Sequence, residues 1–94
     1  MSGISGYKVL VFSSPKCGPC MQLKPNMQRL QEKYGFDMEV IELSDETRPQ
    51  FDQKGVRTTP TCIGLDTEGN EVGKFVGAQA LPILEHHLIK WRVI

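Results

Sequence analysis

The stretch Val9-Leu10-Val11-Phe12-Ser13-Ser14-Pro15-Lys16-Cys17-Gly18-Pro19-Cys20 decides how this chain folds. Its first four residues are an unbroken apolar run with two β-branched side chains, closed by Ser13, Ser14 and Pro15. So short a run without polar alternation fits a strand covered on both faces, in the middle of a sheet. The period then changes. Cys20, Leu23, Met27, Leu30 and Tyr34 follow at steps of three and four, which is one face of a helix, and Gly35 supplies its stop. Cys20 heads that apolar stripe and Cys17 falls just outside the first turn. Pro25 lies inside the helix, so a kink is expected near it.

Beyond this segment, Met38 to Leu43 reads as a second strand, with Glu39 and Glu42 facing out. Ser44 to Thr47 offer capping oxygens, Pro49 suits an opening helical turn, and Gly55 ends a short helix. Thr61 to Leu65 reads as a third strand, 66–70 as a hairpin loop, and Val72 to Val76 as a fourth strand. Leu81, Leu84, Leu88 and Trp91 mark one face of a last helix, with Pro82 in its first turn. Trp91 is expected in the core, His86 and His87 on a solvated face, and Met21, Met27 and Met38 as gap-filling core residues. The order β-α-β-α-β-β-α predicts an α/β fold. It has a right-handed parallel βαβ unit, a closing antiparallel hairpin, and a small mixed four-stranded sheet with helices on both faces.

Composition narrows the function. Ninety-four residues make one domain, 1–94, with residues 1–6 expected as a short flexible tail. Eleven Lys+Arg balance eleven Asp+Glu, and no basic run occurs, which argues against nucleic-acid binding. No apolar run is long enough to span a membrane, and the first residues lack the charge and apolar core of a signal peptide. A cytoplasmic monomer is the default expectation.

Three cysteines are an odd number and do not form the framework of a secreted scaffold. Cys17-Gly18-Pro19-Cys20 has a spacing used by disulfide exchange and by zinc sites. Zinc needs two further ligands. Cys62, His86 and His87 are available, but none forms a second close pair, and an iron–sulfur role is less supported still. A buried strand before the pair and an amphipathic helix after it favour exchange. Unpaired N–H groups at the helix start stabilise a thiolate at Cys17, and Lys16 adds a cation. Cys20, on the buried stripe, is shielded from outside reagents. Cys17 is therefore the expected nucleophile and Cys20 the resolving thiol, with Gly18 and Pro19 setting the geometry between them. Cys62 reads as a buried small hydrophobe, the sharper alternative being a regulatory thiol.

The strand–Cys-Gly-Pro-Cys–helix segment, Thr59-Pro60-Thr61 before a strand, and Val76-Gly77 before the last helix together resemble thioredoxin, over nearly the whole chain from Tyr7. Pro25 matches the proline that kinks that family's active-site helix. The resemblance implies a cis Pro60 lying against the cysteine motif, with Thr59 pairing its backbone with an extended substrate. Gly77 lines the same groove, and Thr58 stands beside it. It also implies reduction of disulfide-containing proteins with no metal and no bound organic cofactor. Electrons would come from a flavin-dependent reductase or from glutathione. The chain departs from the family at three places. Lys16 stands where an aromatic residue is usual, Val11 where a buried acid sits, and Ile41 near the partner lysine. Its size and Thr58-Thr59-Pro60 are closer to glutaredoxin, so a glutathione-dependent reductase is the alternative enzyme. A non-catalytic interaction module on the same fold is the alternative outside enzymology.

Overall fold

The structure is a computed structural model and describes residues 6–94. The expected flexible tail lies outside the described residues, Gly6 excepted. Four strands, β1 (Lys8–Ser13), β2 (Asp37–Glu42), β3 (Thr61–Leu65) and β4 (Glu71–Val76), alternate with three helices, α1 (Gly18–Tyr34), α2 (Arg48–Gln53) and α3 (Leu81–Lys90). Element order matches the sequence reading, and most boundaries move by one or two residues. The strands form one sheet in the order β2-β1-β3-β4. β1 is parallel to β2 and antiparallel to β3, and β3 is antiparallel to β4.

The apolar run lands where its pattern requires. Val9, Leu10, Val11 and Phe12 are all buried, because β1 has a strand on each side and helices over each face. Val9 and Val11 join Leu23, Met27 and Leu30 of α1 and Leu84 and Leu88 of α3 in one core. Leu10 and Phe12 point the other way, to Phe51 of α2 and to Val56 and Ile63. Each such side chain contributes roughly 1.5–3 kcal/mol by leaving water. β1 thus anchors both layers at once, and its last residue delivers the chain to Cys17.

At the edge of the sheet Glu39 and Glu42 face out as expected, and an apolar residue joins them. β2 borders solvent, so Val40 is exposed, and Lys8 and Lys24 pair with Glu39 and Glu42 along it. Charge on an edge strand discourages pairing with other chains. Leu43 falls beyond β2, although its N–H still donates to the Ser13 carbonyl. α1 continues through Pro25 to Tyr34. Before α2, the Thr47 hydroxyl does not cap the helix; it donates to the Glu42 carbonyl and accepts from Ser44 N–H.

Two further readings are corrected. Met21 is 73% exposed, because it points out from α1 beside the cysteine motif while Met27 faces the sheet. His87 is half-buried, unlike exposed His86. Its ring stacks on Phe75 at 4.7 Å and lies 5.7 Å from Trp91. The sheet beneath makes room for Trp91: a Cβ at Gly73 would stand 1.8 Å from its Nε1, and one at Gly64 2.6 Å from its Cε3. No helix among the described residues is long and apolar enough to cross a membrane.

Candidate active site

Three segments far apart in sequence meet at the carboxyl end of β1. The first is the turn 14–17 with the start of α1. Cys17 is the N-cap of α1, with extended backbone, and Gly18 and Pro19 open the first turn. Proline is suited there because its missing N–H would have had no helical partner. The four-residue motif brings the two Cα atoms to 5.2 Å, and Cys17 and Cys20 are joined in a disulfide. Cys20 is 1% exposed, whereas Cys17 is only half-buried. The Cys20 N–H donates to Cys17 Sγ at 3.2 Å. A sulfur thus fills the capping place usually taken by an oxygen, and an orphan helix N–H points at the atom that must carry negative charge once reduced.

The second segment is the loop before β3. The Thr59–Pro60 peptide bond is cis, and Pro60 is buried. Thr59 lies against the disulfide: its carbonyl oxygen is 3.6 Å from Cys17 Sγ, and its hydroxyl donates to the same sulfur at 3.7 Å. The Ser14 and Thr59 hydroxyl oxygens are 2.6 Å apart. With Ser14 donating to Thr59 and Thr59 to Cys17, the two hydroxyls form a relay that ends on the sulfur. The sequence pattern does not show this relay, because nothing local relates position 14 to position 59. Thr58 is exposed, and its carbonyl accepts from the Thr61 hydroxyl at 2.6 Å. That bond shapes the loop and leaves the Thr58 side chain free to face solvent.

Gly77 forms the third side. Its N–H donates to the Pro60 carbonyl at 2.8 Å, tying the end of β4 to the cis-proline loop. Its φ of +92° is a conformation open mainly to glycine. Lys16 also has a positive φ, +58°, and its side chain is exposed. For a residue with a Cβ this backbone costs about 1–2 kcal/mol, a local strain held directly before Cys17.

Beneath the motif, Val11 is fully buried among aliphatic and aromatic side chains. Ile41 is buried on the opposite face of the sheet. Neither position supplies charge to Cys20. The third cysteine, Cys62, is also fully buried, between Val11 of β1 and Phe75 of β4. Burial pushes its thiol up to about 12, so it stays protonated and unreactive near neutral pH. Arg48 and Arg57, which the sequence reading passed over, flank the outer side of Thr59 in a pocket. Arg57 stands directly before Thr58-Thr59-Pro60, and that adjacency was the one available signal.

Comparison with known proteins agrees with this geometry. A family model described as thioredoxin matches residues 2–81. Thioredoxin 1 of Synechococcus elongatus is 31% identical over 88 residues, covering 92% of this chain and 81% of that protein. The crystal structure of thioredoxin NaTrxh from Nicotiana alata superposes with a TM-score of 0.79 at 31% identity, over 93% of this chain and 74% of that one. A stretch of NADPH-dependent thioredoxin reductase 3 from Arabidopsis thaliana is 30% identical over 56 residues, 58% of this chain and 10% of that protein. An N-capping cysteine disulfide-bonded to the head of a buried helix stripe, set against a cis proline, is the chemistry of a thiol–disulfide oxidoreductase. On sequence, fold and site together, this chain belongs to the thioredoxin family.

Proposed function

We propose that this protein reduces disulfides in other proteins, with Cys17 as nucleophile and Cys20 as resolving thiol. The observation that carries the assignment of roles is the unequal placement of the two sulfurs: Cys17 at the surface with donors aimed at it, Cys20 sealed beneath. In the reduced protein, the Cys20 N–H and the Thr59 hydroxyl favour the Cys17 thiolate. That thiolate attacks one sulfur of a target disulfide. A Cys17–target bond forms, the target's own S–S bond breaks, and its other sulfur leaves as a thiolate. Cys20 then loses its proton and attacks Cys17 Sγ. The Cys17–Cys20 bond forms and the second target sulfur departs, so two electrons have passed from the dithiol to the target.

Val11 gives Cys20 no carboxylate, so its proton goes to water reaching the motif or to the departing target sulfur. Lys16, Gly18, Pro19 and Pro60 support the geometry. Thr58, Thr59 and Gly77 border the strip where an extended target chain lies. The Thr59 N–H has no partner among the described residues, leaving a backbone donor available for that chain. The protein works as a cytoplasmic monomer, with the Cys17–Cys20 pair as its redox group and no metal or organic cofactor. A flavin-dependent, NADPH-fed reductase restores the dithiol. The similarity to part of an NADPH-dependent thioredoxin reductase supports that donor over glutathione.

The test is reduction of a protein disulfide with dithiothreitol as donor, wild type beside Cys17→Ser. Turnover well above dithiothreitol alone, lost in the variant, is expected. Equal rates for the two proteins would leave only a docking role for the fold. With NADPH and a thioredoxin reductase as the sole electron source, reduction should continue; reduction only with glutathione would reassign the donor.

A further inference from the structure

A pocket of about 540 Å³ opens between α2 and the loop leading to Pro60, lined among others by Arg48, Phe51, Asp52, Val56, Arg57 and Thr59. Its size is that of a site for a small ligand or a few residues of peptide. Thr59 is a shared wall: it faces the pocket and also contacts Cys17 Sγ at 3.6 Å through its carbonyl. An occupant in contact with Thr59 is therefore separated from the reacting sulfur by that one residue.

The charge of the lining is unbalanced. Two guanidiniums stand against one carboxylate, that of Asp52. Neither guanidinium has an ion-pair or hydrogen-bond partner among the described residues. Elsewhere three lysines are paired with glutamates, Lys8 with Glu39, Lys24 with Glu42 and Lys33 with Glu85. Other cations among the described residues are unpaired too; what sets these two apart is that both line one pocket beside Thr59. Guanidinium geometry suits planar, two-oxygen anions. A chain that enters an exchange site is peptide-like, and its anions are carboxylates.

We propose that Arg48 and Arg57 bind a carboxylate of the disulfide substrate and so give the protein a preference for targets with acidic groups beside the reacting cysteine. This inference rests on the exchange reading above. The carboxylate belongs either to an acidic side chain of a protein target or to a small peptide disulfide such as glutathione disulfide. The selection acts through the pocket, not through the sulfur chemistry, which is the same for neutral and acidic targets.

The experiment compares two peptide disulfides that differ only in Glu against Gln two residues to each side of the reacting cysteine, with dithiothreitol as donor. The ratio of kcat/KM values, acidic over neutral, is expected to be about tenfold at low salt, the size two exposed charge contacts can supply. It should fall to about one in the Arg48→Gln/Arg57→Gln protein, and shrink in about 0.5 M salt as screening predicts. A ratio of one in the wild type, or a ratio that survives in the double variant, overturns the proposal. Glutathione disulfide against its ester forms the second arm. A preference lost in the same variant there assigns the pocket to small disulfides; a preference confined to the longer peptides assigns it to protein targets. A Glu peptide with serine in place of its cysteine, titrated by NMR into the Cys17→Ser/Cys20→Ser protein, separates the two readings. Binding without any turnover in the wild type would remove the exchange reading and uphold the pocket.

Discussion

Cys17 and Cys62 lie on either side of one short loop, and their chemistry is opposite. Cys17 Sγ touches Thr59 from the surface, where a helix N–H and a hydroxyl both point at it. Cys62 follows Pro60 by two residues on β3, fully buried with its thiol raised to about 12. The same side chain is reactive in one place and inert in the other because the first site solvates a thiolate with fixed donors. The second offers only hydrocarbon. Cys20 falls between the two, shielded from solvent like Cys62 but bonded to Cys17.

The largest expected contrast is in alkylation. In the reduced protein at pH 8, Cys17 should react with iodoacetamide orders of magnitude faster than Cys62, with Cys20 slower than Cys17. Mass spectrometry of timed samples gives the order. Labelling of Cys62 at a rate near that of Cys17 in the folded protein would break the comparison. It would also revive a regulatory thiol at that position.

A second contrast sets the far core against the site. Gly73→Ala pushes a methyl group into Trp91 and should destabilise the protein by about 3 kcal/mol, the upper part of the range for overpacking. A denaturant midpoint measures this. The alkylation rate of Cys17 under native conditions should change little, since Gly73 pairs with Gly64 and Trp91 caps the C-terminal end of α3, the end away from Gly77. A proportionate loss of Cys17 reactivity would show that the two regions are one mechanical unit.

Cys62→Ser should cost about 1–3 kcal/mol, the penalty of a buried hydroxyl left without a partner, while disulfide reduction continues. Loss of activity at full stability would place Cys62 in the reaction. Smallest of all is Lys16→Glu. Replacing an exposed cation beside Cys17 with an anion should raise the Cys17 thiol pKa by a few tenths of a unit, the scale of exposed charge effects. Thiolate absorbance followed over pH reads the shift. No shift would confine Lys16 to a conformational part, for which its positive φ already offers a physical basis.

Much of this molecule was legible in advance because its signals are local. Periodicity separates the unbroken run of β1 from the three-and-four spacing of α1, and those two patterns already place Cys17 at a helix start. What periodicity does not carry is which strand lies at an edge. Val40 is apolar like Ile41, and only the order β2-β1-β3-β4 shows that its strand is an edge where Val40 meets water. His87 was misread for the same reason: its own helix leaves it off the apolar stripe, but Phe75 from β4 reaches over to cover it. Met21 directly follows buried Cys20 but lies off the Cys20–Leu23–Met27 stripe, so α1 turns it outward.

The sequence by itself determined the element order, the buried central strand, the cysteine pair at a helix N-terminus and the inequality between its two sulfurs. All of these follow from spacing within about twenty residues. Tertiary structure alone decided what surrounds the pair. The Ser14–Thr59–Cys17 contacts join positions 45 and 42 residues apart. The Gly77–Pro60 bond closes the groove, and Arg48 and Arg57 come together beside Thr59 only because α2 packs on the outer face of the sheet. Such contacts depend on where a strand lies in the sheet and which face a helix covers, and no local pattern encodes that.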